Sequence, residues 1–575
     1  MPAYALAQST AAASDETAGT SDLRLRSIYE KEWAWRQREL GEATEDSDGS
    51  RDNDRLPDVS PAAQNARLQV WEGVLRQLDA IDPRTLSPQG GIDLAVYRPQ
   101  IENLAAEVRL RAYEMPFNSD NSFWSDLAFM ARQPMTTASE HQAYIARLHD
   151  VPRYFDQQIE NMRAGLARGF SVPRAALDGR EVSIANVAAL ADPAEAALYA
   201  PFKQLPAQIP ASEQRRLREQ AAAAIADDVI PAYARLLAFF RDEYVPQART
   251  TLAAEAMPDG EAYYRQQIRE YTTLELSPEE IHQLGLREVE RIQREMHDVI
   301  HRSGFEGDFQ AFLHFLRTDP QFYAKTPQAL LERAAWIAKR VDGQVGRFIG
   351  TLPRARFTIV PVPADIAPFW TAGRGSVGTY WVNTYDLPSR PLYNLPALTL
   401  HESSPGHSLQ GALALEQERQ PAFRRENYIS AYGEGWALYT EKLGVEMGIY
   451  ETPYEDFGRL TYEMWRACRL VIDTGIHHEG WTRERALAYL RDRTALSEHE
   501  VITEIDRYIS WPGQALSYKL GEIMIVRLRT EAERELGDKF DIKAFHDAVL
   551  RQGSVPLPVL ERQVRQFIAD RKRAG

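Results

Sequence analysis

The chain has 575 residues, 44% hydrophobic and 26% charged, with a net charge of −15 and a pI near 5.4. This is ample apolar material for two or three domains or one large helical body. The acidic balance, with Lys and Arg scattered and no basic stripe for phosphates, argues against a nucleic-acid partner. The single cysteine, Cys468, excludes a disulfide framework and any multi-cysteine metal site. No apolar run reaches the ~18 residues of a membrane span.

Residues 1–23 carry no core pattern. Ala5-Leu6-Ala7 fits the small-residue cleavage pattern that ends a secretory signal, although the basic and apolar parts that should precede it are missing. One reading is a signal-peptide remnant on a periplasmic or secreted protein. The other is a disordered tail on a cytoplasmic one. Residues 42–59, acidic and rich in turn formers, read as a loop. A helix is predicted from Ser60 as N-cap with Pro61 in the first turn. A second long helical pattern follows over 212–245, with Pro231 a predicted kink, and a third begins at Ser277-Pro278. A boundary near 256–270 divides an N-terminal helical region, 24–265, from a C-terminal region, 266–575. The two are expected to form one cleft-shaped body.

Strand signals gather at 356–363 and 376–385, β-branched or alternating and separated by a loop, the glycine-rich "TAGRG". An exposed sheet edge at 376–385, including Gly378 and Tyr380, could hold an extended peptide by backbone hydrogen bonds, with glycine allowing close approach. The alternative is a small structural hairpin.

The segment "LTLHESSPGHSLQG", 398–411, follows. A zinc-protease helix carries His-Glu-x-x-His, both histidines on one face and the glutamate as base. Here His401 and Glu402 are present, but the next histidine, His407, is six residues on. At ~100° per residue it leaves the face of His401 in a regular helix. Pro405 and Gly406 supply the break that would bring it back. Glu434, flanked by glycines with 26 residues between it and His407, is the candidate third ligand. Glu441, two turns further, shares its face and is a candidate to support the ligands from behind.

These residues resemble a known family. "HESSPGHSLQ", "EGWALYTEKLG", "RLVIDTGIHHEGWT" and "RYISWPGQALSYKLGE", with "RLPDVSPAAQNARL" near the start and "LSPEEIHQLGLREVERI" in the middle, are similar to the motifs of the bacterial domain of unknown function 885 family. That family is grouped with the gluzincins. The resemblance covers the chain after residue 24. It implies a mainly α, largely helical body with a deep cleft and a small β-sheet edge. It also implies one zinc ion per chain on His401, His407 and Glu434, with Glu402 as general base. The longer histidine spacing departs from the compact pattern of the larger relatives.

Further candidates follow from the C-terminal motifs. Arg469, Asp473 and His477 share a helix face. By analogy with related cleft peptidases, His477 is the first candidate and Tyr518 the second for donating a hydrogen bond to an oxyanion. The alternative for His477 is a buried capping network. Arg507, Gln514 and Lys519 are candidates to bind a peptide carboxylate, or, for Arg507 and Lys519, to be solvated surface. His282, His297 and His301 read as structural or surface. The expected activity is zinc-dependent hydrolysis of short peptides, of carboxypeptidase, dipeptidyl-carboxypeptidase or oligopeptidase type. The alternatives are a hydrolase of a non-peptide amide such as an N-acyl amino acid, and a helical peptide-binding protein without turnover. Oligomeric state is left open.

Overall fold

The computed structural model describes residues 3–41, 54–364 and 366–573, so most of the acidic loop expected at 42–59 lies outside the described residues. The protein is mainly α-helical with one small three-stranded sheet. It divides into two compact units, Met1–Leu252 with Ala256–Asp259, and Ala253–Glu255 with Gly260–Gly575. The division thus falls at 252–260, where a boundary was expected near 256–270.

In the first unit, the segment expected as a tail is, from Ala3 onward, continuous with a helix ending at Glu39. Leu25, Ile28, Tyr29, Glu32 and Arg36 are buried at helical spacing along its described part. The Glu32 carboxylate accepts from the Trp71 indole at 3.1 Å and the Tyr97 hydroxyl at 2.9 Å, pinning three helices together. The helix Pro61–Asp79 starts as expected, with the Ser60 hydroxyl accepting from Ala63 N–H. The expected kink at Pro231 takes a specific form. Five residues in π-helical geometry, Ile225–Val229, precede the helix Ile230–Phe239, and a second such turn, Phe240–Tyr244, precedes Pro246. Widening the turn relieves the clash between each proline ring and the preceding carbonyls.

In the second unit, seven helices place the site: α1 (Pro278–Ser303), α2 (Leu395–Glu402), α3 (His407–Leu415), α4 (Ser430–Glu446), α5 (Pro453–His477), α6 (Glu498–Ser510) and α7 (Ser517–Leu536). α1 opens on the Ser277–Glu280 capping box. α5 is buried without a break from Phe457 to His477, so it is the core helix of the unit. Cys468 lies within it, and burial pushes its thiol up to about 12. This is a packed cysteine rather than a reactive one.

The strands are β1 (Thr358–Pro361), β2 (Gly373–Ser376) and β3 (Thr379–Val382), in the order β1-β3-β2, with β1 parallel and β2 antiparallel to β3. This corrects two expectations. The glycine-rich "TAGRG" is not a loop, since it supplies β2. The stretch 376–385 contains the central strand, paired on both sides, so it offers no free edge to a peptide. Tyr380 is fully buried, with its hydroxyl 3.4 Å from Thr399 Oγ1 on α2. Gly378 turns the chain from β2 to β3 at φ +82°, and its carbonyl accepts from Thr358 N–H at 2.9 Å. Tyr380 is thus a core residue and Gly378 a turn residue.

Candidate metal centre

α2 ends at Glu402, and α3 begins only five residues later, at His407. Between them the chain doubles back on the end of α2. Gly406 N–H bonds to the Leu400 carbonyl at 3.0 Å, and a Cβ on Gly406 would lie 1.9 Å from His401 O and 2.4 Å from Leu400 O. Only glycine fits that approach. The Trp436 indole of α4 holds the bend by donating to the Pro405 carbonyl at 2.8 Å. As a result the rings of His401 and His407 meet edge to face, their centroids 4.9 Å apart. The Pro-Gly break does what the sequence spacing required of it.

Glu434 lies one turn into α4 and reaches both rings. Its Oε2 is 3.3 Å from His401 Nε2 and 3.2 Å from His407 Nε2. A tetrahedral ion with bonds of about 2.0–2.1 Å spaces its ligand atoms by roughly 3.3–3.4 Å, and both Glu434 distances match that spacing. Behind the two imidazoles, Glu441 Oε1 lies 2.8 Å from His401 Nδ1. By accepting the Nδ1 hydrogen, it would leave Nε2 as the nitrogen to bind an ion once its own proton is released. One ligand atom each from His401, Glu402 and His407 also falls within 4.8 Å of the others, which puts the Glu402 carboxyl next to the centre. Glu402 Oε2 accepts from Gly375 N–H of β2 at 2.6 Å. The edge strand β2 therefore aims the carboxylate. Glycine is needed there as well, because a Cβ on Gly375 would meet Glu402 O at 1.9 Å.

The electrostatics favour a cation. Three carboxylates, Glu402, Glu434 and Glu441, surround two imidazoles. Burial works to lower the His401 pKa, but Glu434 and Glu441 outweigh it and raise the imidazole to about 10. Burial likewise works to raise Glu434, yet the two histidines hold it well below the usual carboxylate range. A divalent ion would compensate this concentration of negative charge.

Two tyrosines flank these groups. Tyr518 stacks on His401 at 18° with centroids 6.3 Å apart. It gets there because α4 and α7 touch backbone to backbone, where a Cβ on Gly435 would meet Gly521 at 2.5 Å. The Tyr518 hydroxyl accepts from Arg507 Nη2 at 3.2 Å and from Gln514 Nε2 at 3.5 Å, and its own hydrogen has no acceptor among the described residues. Tyr428, which sequence reasoning missed, donates to Glu434 Oε1 at 2.9 Å, and its ring lies 6.3 Å from that of His407.

The other expected site residues are engaged elsewhere. His477 is not positioned as an oxyanion donor. It is fully buried, with Nδ1 accepting from Ala254 N–H at 3.1 Å and Nε2 donating to Tyr508 O at 2.8 Å. Asp473 accepts from the Tyr264 hydroxyl at 2.6 Å and Gly513 N–H at 3.1 Å, and burial pushes its carboxyl up to about 7. Lys519 is fully buried against Glu463 at 2.8 Å, Glu522 at 2.8 Å and Glu288 at 3.2 Å, so it neither binds substrate nor meets solvent. Arg507 donates to Gln514 Oε1 at 2.9 Å as well as to Tyr518. These two hold the tyrosine in place instead of a substrate carboxylate. Arg469 is an internal partner of Glu504 at 2.7 Å, with its guanidinium 4.1 Å over the Tyr518 ring. His282 is structural, as expected, bonded to Thr474 Oγ1 at 2.8 Å.

The pattern of the family described as "Bacterial protein of unknown function (DUF885)" matches residues 38–564. The chain belongs to this family. A solved structure described as "the putative lipoprotein from Colwellia psychrerythraea" is similar to this chain at 28% identity with a TM-score of 0.86, covering 97% of this chain and 99% of that one. Another, described as "a putative lipoprotein of unknown function from Shewanella oneidensis", shares the fold at 18% identity and a TM-score of 0.68, covering 96% and 99% of the two chains. No curated protein matches the sequence. Among the described residues of this DUF885 member, no helix is long and apolar enough to cross a membrane.

Proposed function

We propose that the protein is a zinc-dependent hydrolase of peptide bonds in short peptides, with one zinc ion per chain. The reading is carried by Glu434 Oε2, which stands 3.3 and 3.2 Å from the Nε2 atoms of His401 and His407. His401, His407 and Glu434 would hold the ion. When bound, it would supply Lewis acidity and lower the pKa of water toward ~7.

The chain's own groups do the rest. Glu402, oriented by Gly375 N–H, takes the proton from the attacking water and returns it to the leaving amine. Tyr518 offers its uncommitted hydroxyl hydrogen to the oxyanion of the tetrahedral intermediate, a role that removal of one donor typically values at ~2.7–4 kcal/mol. Tyr428 keeps Glu434 turned toward the histidines, and Glu441 does the same for His401. Because Lys519 is internal and Arg507 is tied to Tyr518, neither supports a carboxypeptidase assignment. The lipoprotein descriptions of the two similar structures support an extracytoplasmic location.

The test is a mixed library of short peptides incubated with purified protein as isolated, after chelation, and after zinc is restored. The reading predicts cleavage that disappears on chelation and returns with zinc. Cleavage indifferent to chelation would reject it. Peptide binding without turnover in the zinc-loaded protein would favour a binding role instead.

A further inference from the structure

One face of α3 stays open. At about 100° per residue, His407, Gly411, Ala414 and Leu415 all fall within roughly 100° of one another around the helix. Apart from His407, none of the four has a polar side chain. Leu415 is 46% exposed, and Gly411 and Ala414 are half-buried, whereas Leu409, Ala412 and Leu413 on the opposite face are buried.

Two walls rise beside this face. On one side, Ser408 Oγ donates to the Ser376 carbonyl at 2.7 Å and fastens the β2–β3 turn to α3. The turn sets Val377, 39% exposed, over Gly411, where a Cβ would meet Val377 Cγ2 at 2.8 Å. That contact accounts for a glycine inside a helix, where its loss of backbone freedom is otherwise unfavourable. On the other side stands Tyr428, 56% exposed, its ring centroid 6.3 Å from that of His407. The next residue, Ile429, donates its N–H to Ser554 Oγ at 2.8 Å, and the adjoining Gly553 lies beside Ala414, to whose Cβ its own would come within 3.7 Å. Viewed down α3, Ser408 and Gly411 turn to one side of His407 and Ala414 to the other, so the walls oppose each other. The result is an apolar groove that begins at the candidate metal centre. It runs about 12 Å along α3 by helical rise, the reach of three to four extended residues.

We propose that this groove takes the apolar side chains of a peptide next to its scissile bond, so that the substrates are short peptides with Leu, Met or Phe at those positions. The assignment rests on the peptidase reading and deepens it by naming the substrate class. Exposed apolar surface continuous with a site of chemistry marks a place where ligand is bound. A Leu or Phe side chain leaves water there favourably. A Lys or Asp side chain would lose hydration over Gly411, Ala414 and Leu415, which offer it neither an opposite charge nor a side-chain hydrogen bond.

The test uses tetra-alanine carrying Leu, Lys or Asp at each position in turn. Cleavage is followed on the zinc-loaded full chain, and affinity by calorimetry on zinc-loaded Glu402→Gln. Leu at one or two positions flanking the cut should raise kcat/KM and affinity about ten-fold or more over Lys or Asp at the same positions. Val377→Asp and Leu415→Glu, both at exposed positions, should each reduce this preference several-fold with zinc content unchanged; either suffices should the other misfold. Cleavage indifferent to the side chain, a preference for Lys or Asp, or a Leu preference that both folded variants keep in full overturns the groove and leaves the peptidase reading standing. Leu-selective binding without turnover in the wild type rejects the peptidase reading and keeps the groove as a binding surface for apolar peptides. Neither binding nor turnover of any Leu peptide overturns both.

Discussion

Gly406→Ala probes the bend that makes the metal centre. The added Cβ would lie 1.9 Å from His401 O, 2.4 Å from Leu400 O and 2.6 Å from His401 C. All three are backbone atoms, so no side chain can swing aside. Restoring even a 3.0 Å approach needs about 1 Å of movement between the end of α2 and the start of α3, and His407 is the next residue. Metal sites tolerate about 0.2 Å of ligand displacement. The variant should therefore lose the His407 contact, and zinc affinity should fall roughly 100-fold or more, at or beyond the upper end for loss of a partner behind the ligands. Overpacking should also cost about 1–3 kcal/mol of stability. Gly343→Ala is the control, because nothing lies within 4 Å of its Cβ in the helix Pro327–Val345. That change should stabilise by about 0.5–1 kcal/mol. Zinc competition against a chromophoric chelator reads the first effect, and urea unfolding reads the second. Gly406→Ala binding zinc as tightly as wild type would refute the account of how the two histidines are brought together.

Glu441→Gln keeps an acceptor for His401 Nδ1–H but removes its charge, and should lower zinc affinity about 10-fold or more in the same chelator assay. Zinc uptake should release about one proton at pH 7.5, because His401 in the zinc-free protein, raised to about 10, is still protonated there; calorimetry in buffers of different ionisation enthalpy measures it. The sign for stability follows from the same shift. In the zinc-free protein the His401 contribution is complete below pH ~6.5 and is lost as pH rises through about 10. The Glu434 contribution is present above ~4.5 and is lost as pH falls below it. Lys519→Met leaves Glu522 without its cation, while Glu463 and Glu288 keep Arg291, and should destabilise by about 3–5 kcal/mol in chemical denaturation.

Much of the site was legible because its determinants are local. A regular helix fixes where residues seven apart point, so Glu434 and Glu441 could be placed on one face of α4 before any fold was known. Proline followed by glycine announced a break between His401 and His407, and the Ser60 and Ser277 caps announced two helix starts. What failed depended on partners distant in sequence. His477 carries the right chemistry, but its nitrogens bond to Ala254 and Tyr508, 223 and 31 residues away. Lys519 read as a carboxylate binder or solvated surface because two of its three carboxylates lie 56 residues off on α5 and farther still on α1. The glycines of β2 read as a loop because periodicity cannot distinguish a flexible segment from a strand stripped of side chains to let a helix end approach. Tyr428 had no motif around it, and only the packing against Glu434 reveals its role.

The most direct test of the central claim is Glu402→Gln, which keeps the size of the side chain and removes the base. Zinc content and peptide hydrolysis are measured together on variant and wild type. The account predicts about one zinc per chain in both proteins and turnover in the wild type alone. A zinc-loaded Glu402→Gln protein that hydrolyses peptides at the wild-type rate would contradict it.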